Sequence, residues 1–310
     1  MCPGAAVTGW GGALPPTAVP NAVFEADLDT TDEWIVSRTG IRSRHVGSTV
    51  GALSTAAGRA ALERAGVDPG SVDLLVLATT TPDQVMPSTA ATVHHELGLG
   101  GGAFDVNAAC SGFIYALLAA YGAIASGVVD RALVVGADIM SSIVDPADRS
   151  TVVLFGDGAG ALLLDRAAVD GQFLGWDLGT DGSAHELLQV DHGGKITMDG
   201  KEVYRRAIRA TVASAFAALE QSKLRADEIA LFVPHQANLR IIEAVAERIG
   251  IPVDRTAVMV DRTGNTSAAS IPLALAEAAD AGRIAPGDAV LVSGFGAGMT
   301  WGSTVFRWGI

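Results

Sequence analysis

The sequence predicts an α/β protein made of two similar halves, and three observations carry that expectation. Short β-branched or leucine-rich runs alternate with alanine-rich helical stretches, the pattern of sheets covered by helices on both faces. A weak internal repeat is the second observation. Ala61-Leu62-Glu63 leads through a polar turn into a strand at 72–77, and Ala218-Leu219-Glu220 leads likewise into one at 228–233. About sixty residues beyond each lies a further strand with a similar ending, Ala132-Leu133-Val134-Val135-Gly136 and Ala289-Val290-Leu291-Val292-Ser293-Gly294. Third, 310 residues with 49% hydrophobic and 18% charged side chains suffice for a large core and exclude wholesale disorder. The halves are expected at 1–170 and 171–310, packed together without a flexible linker.

In chain order, strands are expected at 74–78, 104–106, 132–135, 160–164, 230–233, 289–292 and 303–307, where β-branched and leucine residues cluster. Helices are expected at 55–65, 88–97, 112–126, 202–221, 239–249 and 270–281, the last with Pro272 near its first turn. The apolar run 113–129 is long enough to be weighed as a membrane span, but Tyr115, Gly122, Ser126 and Gly127 dilute it. It reads as a helix buried on all sides of a large core.

Lys plus Arg is 21 and Asp plus Glu is 34, a net charge of −13, which excludes the broad basic footprint of a nucleic-acid binder. Two cysteines, Cys2 and Cys110, make no disulfide framework, and no Cys/His cluster has zinc-ligand spacing. The first residues lack the basic and apolar segments of a signal peptide, so a reducing, cytoplasmic setting is expected.

Cys110 lies between a strand at 104–106 and the apolar helix, in Ala108-Ala109-Cys110-Ser111-Gly112. Free amides at a helix start favour thiolate over thiol, which makes Cys110 a candidate nucleophile; a small buried hydrophobe is the alternative. His235, in Val233-Pro234-His235-Gln236-Ala237-Asn238, stands at the matching strand end of the second half, where α/β folds place ligand-binding groups or a core histidine. His94 and His95 sit mid-helix, and His45, His185 and His192 are expected on solvated loops. Thr263-Gly264-Asn265-Thr266-Ser267-Ala268-Ala269-Ser270 is either a helix cap or a support for Asn265, whose amide donates to an oxygen at any pH. Gly294-Phe295-Gly296-Ala297-Gly298 lacks the Lys and spacing of a phosphate loop and is better suited to offering a backbone amide to an oxyanion.

Together, Cys110 in its elbow, His235-Gln236-Ala237-Asn238-Leu239-Arg240 and Gly264 to Ser270 resemble the three catalytic motifs of the beta-ketoacyl-[acyl-carrier-protein] synthase III family. Asp32-Glu33-Trp34-Ile35, Arg38-Thr39-Gly40-Ile41, Phe155 to Gly160 and Gly294 to Gly302 are similar to further segments of that family, so the resemblance runs from about residue 7 onward. It implies a thiolase fold, two five-stranded sheets and buried helices layered αβαβα, in a homodimer. It also implies a Cys110, His235, Asn265 triad, with the amides of Cys110 and Ala297 as an oxyanion hole.

The implied activity is decarboxylative condensation of an acyl-CoA primer with malonyl-loaded acyl carrier protein, through an acyl-Cys intermediate and with no metal, nucleotide or flavin. By the same resemblance Trp34 and Arg149 sandwich the CoA adenine, Arg38 and Asn238 line its route, and Met86 and Phe295 belong to the acyl pocket. Arg205, Arg206 and Arg209 on one helix, with Arg240 and Arg248 on another, are candidates for docking the acidic carrier, although solvated helix faces explain them equally.

Three positions depart from the family pattern. Met86 replaces an aromatic that often crosses into the partner's pocket, Glu247 stands where the docking patch is often basic, and the segment 189–197 is shorter than the usual loop. An enzyme of secondary metabolism, priming a polyketide or transferring an acyl group, is the nearest alternative. A non-catalytic acyl-thioester binder is a third, though it needs no nucleophile.

Overall fold

A computed structural model of the chain describes residues 4–167 and 172–309. Cys2 and the expected boundary at 170/171 lie outside the described residues. Strands β1 (Gly4–Ala13), β4 (Leu74–Ala78), β5 (Gly102–Val106), β6 (Arg131–Ile139) and β7 (Asp157–Ala167) form one sheet, ordered β1-β7-β6-β4-β5. β4 is parallel to β5 and β6, whereas β7 is antiparallel to β6 and β1. A second sheet contains β8 (Phe173–Thr180), β11 (Leu231–Pro234), β12 (Ala289–Gly296) and β13 (Thr300–Arg307), ordered β11-β12-β13-β8. It repeats the parallel-then-antiparallel sequence of pairings, as the internal repeat anticipates. Two short ribbons, β2 (Thr17–Pro20) with β3 (Ser43–Val46) and β9 (Leu188–Gln189) with β10 (Thr197–Met198), lie outside these sheets.

Five strands were expected in each sheet, and the second has four. The fifth position is reduced to one parallel bridge, Phe232 to Thr256. Pro252, which has no N–H, and the 3₁₀ turn Val253–Arg255 take the preceding residues out of the ladder.

The helices are α1 (Asp32–Thr39), α2 (Val50–Ala65), α3 (Thr89–Leu97), α4 (Gly112–Ala125), α5 (Gly200–Ser222), α6 (Leu239–Ile249), α7 (Val260–Thr263) and α8 (Ser270–Asp280). α4 and α8 lie between the sheets. Phe113, Leu117, Ile271 and Leu275 share one core with Val76, Val134 and Leu162 of the first sheet and Val233, Val290 and Phe306 of the second. Burying a side chain such as Phe113 or Leu117 contributes roughly 1.5–3 kcal/mol. α2 packs on the outer face of the first sheet with α3 beside it, and α5 and α6 cover that of the second, so the layers read αβαβα. The apolar run at 113–129 is helical only to Ala125, where it forms a central helix with Ala119 and Gly122 exposed and Val128 beyond its end exposed, and no helix of the described residues is long and apolar enough to cross a membrane.

β1 escaped expectation because it carries glycine where a strand usually carries a bulky residue. α2 presses so closely that a Cβ on Gly9 would lie 2.2 Å from Ala61 O, and one on Gly11 2.3 Å from Ala57 O. α2 itself begins five residues before the expected 55, at a cap where Thr49 Oγ1 accepts the Ala52 N–H at 3.1 Å.

Candidate active site

Cys110 sits in the 3₁₀ turn Ala109–Ser111 that opens α4, on the side of the sheet where β4 and β5 end. Ala109 has φ +48°, a left-handed conformation that costs a non-glycine residue of order 1–3 kcal/mol. The turn is wedged against the end of β12, since a Cβ on Gly296 would lie 2.6 Å from Cys110 N. Thr300 Oγ1 fastens the two elements, lying 2.8 Å from Ser111 Oγ, 2.9 Å from Ala108 O and 3.0 Å from Ala297 O. α1, α2, α3, α5 and α6 have side-chain N-caps, whereas α4 and α8, which start at this site, have none. Their first turns are free of a competing side chain.

His235 follows β11 and is held from both sides of the ring. Its backbone N–H donates to Ser293 O at 2.8 Å, its ring Nδ1 lies 2.6 Å from Ser270 Oγ, and Phe295 packs edge to face at 5.6 Å between centroids. Asn265 is fixed by residues 154–156, its backbone N–H donating to Leu154 O at 2.8 Å and its backbone carbonyl accepting from Gly156 N at 3.0 Å. Its Oδ1 accepts the Ser267 N–H at 2.9 Å.

The turn 265–270 gathers the three residues. The Ser267 hydroxyl hydrogen-bonds Cys110, the Ser267 amide holds Asn265, and Ser270 holds His235. Ser267, like Ala109, has positive φ, +50°. Asp138 anchors this turn from beneath. Its Oδ2 accepts the Ala268 N–H at 3.0 Å, while Oδ1 accepts the Thr80 and Thr81 amides and lies 2.9–3.1 Å from the hydroxyls of Thr79, Thr80 and Thr81.

Electrostatics differ from the sequence expectation of a thiolate. Burial pushes the Cys110 thiol up to about 12, the Asp138 charge adds to the rise, and the Ser267 hydroxyl and the Cys110 amide oppose it. Desolvation therefore outweighs the helix start, and the resting group is a thiol. Burial also holds the His235 imidazole down at about 3, so the ring is neutral at physiological pH.

A cavity of about 770 Å³ reaches Cys110, Ser267 and Ala297. Met140, Ile143, Phe155 and Ile196 give it apolar walls, and residues 188–196 form one side. Lys195 Nζ and Ile196 N hold that side down through Ser142 O and Ile143 O, each at 2.9 Å. His235 and Asn265 are buried and do not line this cavity; His235 and Phe295 border a separate void of about 10 Å³. Phe295 thus fills space behind the imidazole. His185 and His192, expected on solvated loops, are cavity-lining residues.

Trp34, Arg38, Arg149 and Asn238 form a cluster of their own. The Arg38 and Arg149 guanidinium carbons lie 4.5 and 4.9 Å from the Trp34 ring centroid, and Asn238 Nδ2 donates to Arg38 O at 3.0 Å. None of the four lines the cavity. Met86 is 83% exposed and lies outside the cavity of its own chain. On α5, Arg206 is engaged by Glu202 and Asp181 and Arg205 by Glu202. Arg209 and Arg248 are exposed without an ion pair among the described residues, and Arg240 lies over the Tyr204 ring at 5.7 Å.

A thiol at the start of a central helix, between two sheets of matching topology, defines a condensing enzyme of the thiolase fold. Residues 104–182 match the family model for 3-oxoacyl-[acyl-carrier-protein (ACP)] synthase III, and residues 219–308 match its C-terminal counterpart. The chain is 46% identical over 323 residues to the beta-ketoacyl-[acyl-carrier-protein] synthase III of Roseiflexus castenholzii, covering 98% of each. The crystal structure of 3-oxoacyl-[acyl-carrier-protein] synthase III from Aquifex aeolicus superposes with a TM-score of 0.96 at 43% identity, over 98% of this chain and 100% of that one. The priming beta-ketosynthase of the R1128 polyketide pathway gives 0.94 at 38% identity, over 98% and 96%. The chain belongs to the 3-oxoacyl-[acyl-carrier-protein] synthase III family.

Proposed function

We propose that the protein condenses an acyl-CoA primer with malonyl-loaded acyl carrier protein, giving a 3-oxoacyl thioester and CO2, the initiating step of fatty-acid synthesis. The observation that carries this reading is the convergence of a cavity-facing thiol, a neutral imidazole and a carboxamide on one turn, 265–270.

Cys110 sulfur attacks the thioester carbonyl, and the amides of Cys110 and Ala297 hold the tetrahedral oxyanion. The bond to the CoA sulfur breaks, and the thiol proton ends on CoA. A malonyl thioester then loses CO2, leaving its electron pair as an enolate whose oxygen takes hydrogen bonds from His235 and Asn265. The enolate carbon attacks the acyl carbonyl, the bond to Cys110 breaks, and the thiolate regains a proton from solvent.

Trp34 and Arg149 would stack on the adenine, with Arg38 and Asn238 beside the pantetheine route. Arg209, Arg248 and ring-stacked Arg240 on adjoining α5 and α6, with the Glu202-paired Arg205 and Arg206 beside them, would meet an acidic carrier. A homodimer is supported by the half-exposed Phe104 on the open edge of β5 and by exposed Val85 and Met86, and in such a dimer Met86 would reach toward the partner's pocket. The halves 1–170 and 171–310 would then contribute the sulfur and the two enolate donors respectively, in a cytoplasmic enzyme needing no cofactor.

Priming of a polyketide by the same chemistry is the second reading, favoured by the likeness to the R1128 ketosynthase. A panel of acyl-CoA primers with malonyl carrier protein, followed by CO2 release and product mass, tests both. Condensation of acetyl or short branched primers supports fatty-acid initiation. Condensation of other primers alone supports polyketide priming, acyl transfer without malonyl consumption supports an acyl-transferring enzyme, and neither reaction leaves a binding protein.

A further inference from the structure

The hydrogen bond between Ser270 and His235 has a direction that its surroundings decide. Ser270 Oγ lies 2.6 Å from His235 Nδ1 and accepts the Gln236 backbone N–H at 3.3 Å. Ser270 is 1% exposed, and its hydroxyl proton has no other acceptor among the described residues. Were Nδ1 protonated, Oγ would accept twice and its own O–H would be buried with nothing to donate to. The reverse arrangement satisfies every group: Gln236 N–H donates to Oγ, the Ser270 O–H donates to Nδ1, and the ring proton resides on Nε2.

We infer that Ser270 is a positioning residue that fixes His235 as the Nε2–H tautomer, so that the neutral ring presents a donor to a substrate oxygen. Asn265 is oriented from the same turn. The Ser267 amide occupies Oδ1, which leaves Nδ2 as the donating end. The turn 265–270 therefore occupies the accepting atom of both residues and leaves their N–H groups for an oxygen that becomes negative. What the donors act on rests on the condensation reading; the tautomer does not.

The test uses the full chain labelled with ¹⁵N-histidine. Long-range ¹H–¹⁵N correlation separates the tautomers, and the His235 signal is recognised by its absence in His235→Asn and by its failure to titrate between about pH 5 and 8. The expected result is a bare Nδ1 and a protonated Nε2 in the wild-type protein. In Ser270→Ala the tautomers should mix and malonyl decarboxylation should slow about 10- to 100-fold, while acyl transfer to Cys110 changes less than about threefold. Ser270→Thr, which keeps the hydroxyl, should keep the wild-type signal. A protonated Nδ1 in the wild-type protein overturns the inference, and that measurement needs no variant to fold. So does a Ser270→Ala protein with the wild-type tautomer and both half-reactions slowed alike. A wild-type protein that shows the Nε2–H form but never decarboxylates malonyl thioesters supports the tautomer assignment and refutes the condensation reading.

Discussion

Replacing Gly296 by alanine probes how the fold places the Cys110 sulfur. Gly296 ends β12 directly against the Cys110 turn, and an added Cβ would lie 2.6 Å from Cys110 N, 3.0 Å from Ala109 Cβ and 3.1 Å from Ser111 N. Ordinary contact begins near 3.4 Å, so strand and turn must separate by about 0.8 Å, the gap between 2.6 and 3.4 Å. All three neighbours are backbone atoms or a Cβ, and no rotamer change relieves them. β12 is held by the β13 ladder through Gly296 and by β11 up to Ser293, so the turn is expected to yield more than the strand. Overpacking of this kind costs about 1–3 kcal/mol, and a sulfur displaced by close to 1 Å loses about 10²-fold in acyl transfer. Urea denaturation gives the first quantity, and the rate at which intact protein gains an acyl mass from acyl-CoA gives the second. A destabilised variant that acylates at the wild-type rate would refute the idea that the end of β12 sets the sulfur's position.

Three further outcomes are expected. His235 stays neutral in the folded protein down to about pH 3 against an ordinary 6.5, so between those values the unfolded chain binds a proton that the folded chain does not. Stability from this group is complete above pH 6.5 and is lost as pH falls toward 3, by about 2 kcal/mol at about pH 5. His235→Gln should lose correspondingly less between pH 7 and 5 in denaturant titrations, and an equal loss contradicts the buried neutral ring. Asn265→Asp keeps the acceptor for Ser267 but removes the donor, so decarboxylation should fall about 10²- to 10³-fold with acylation retained, each followed separately. Trp34→Ala should raise KM for acyl-CoA roughly tenfold with little change in kcat, and leave KM for an acyl-pantetheine without adenine unchanged.

The legible parts of the fold were those where one interaction dominates. Helices α4 and α8 and strands β4, β6 and β12 are nearly all apolar because they are covered on both sides, and the sequence shows this directly. β1 was invisible because contact with α2 selects glycine at Gly9 and Gly11, erasing the alternation that marks a strand. The site divides in the same way. Cys110, His235 and Asn265 were recognisable by residue type at strand and helix ends. Their protonation was not, because it is set by burial, which depends on residues brought together only by the fold. Thr300, Ser111 and Asp138 reach partners 57 to 192 positions away in sequence, so no local pattern marks them. The segment 188–196 reads as a polar loop and becomes a cavity wall only through its bonds to Ser142 and Ile143.

Peptide-level mass spectrometry of the protein after incubation with acyl-CoA, before and after malonyl carrier protein is added, addresses the central claim most directly. The acyl increment should appear on the peptide containing Cys110 and should disappear in step with CO2 release as the 3-oxoacyl product forms. An increment on any other residue contradicts the account, as does CO2 release that leaves the Cys110 acyl group in place.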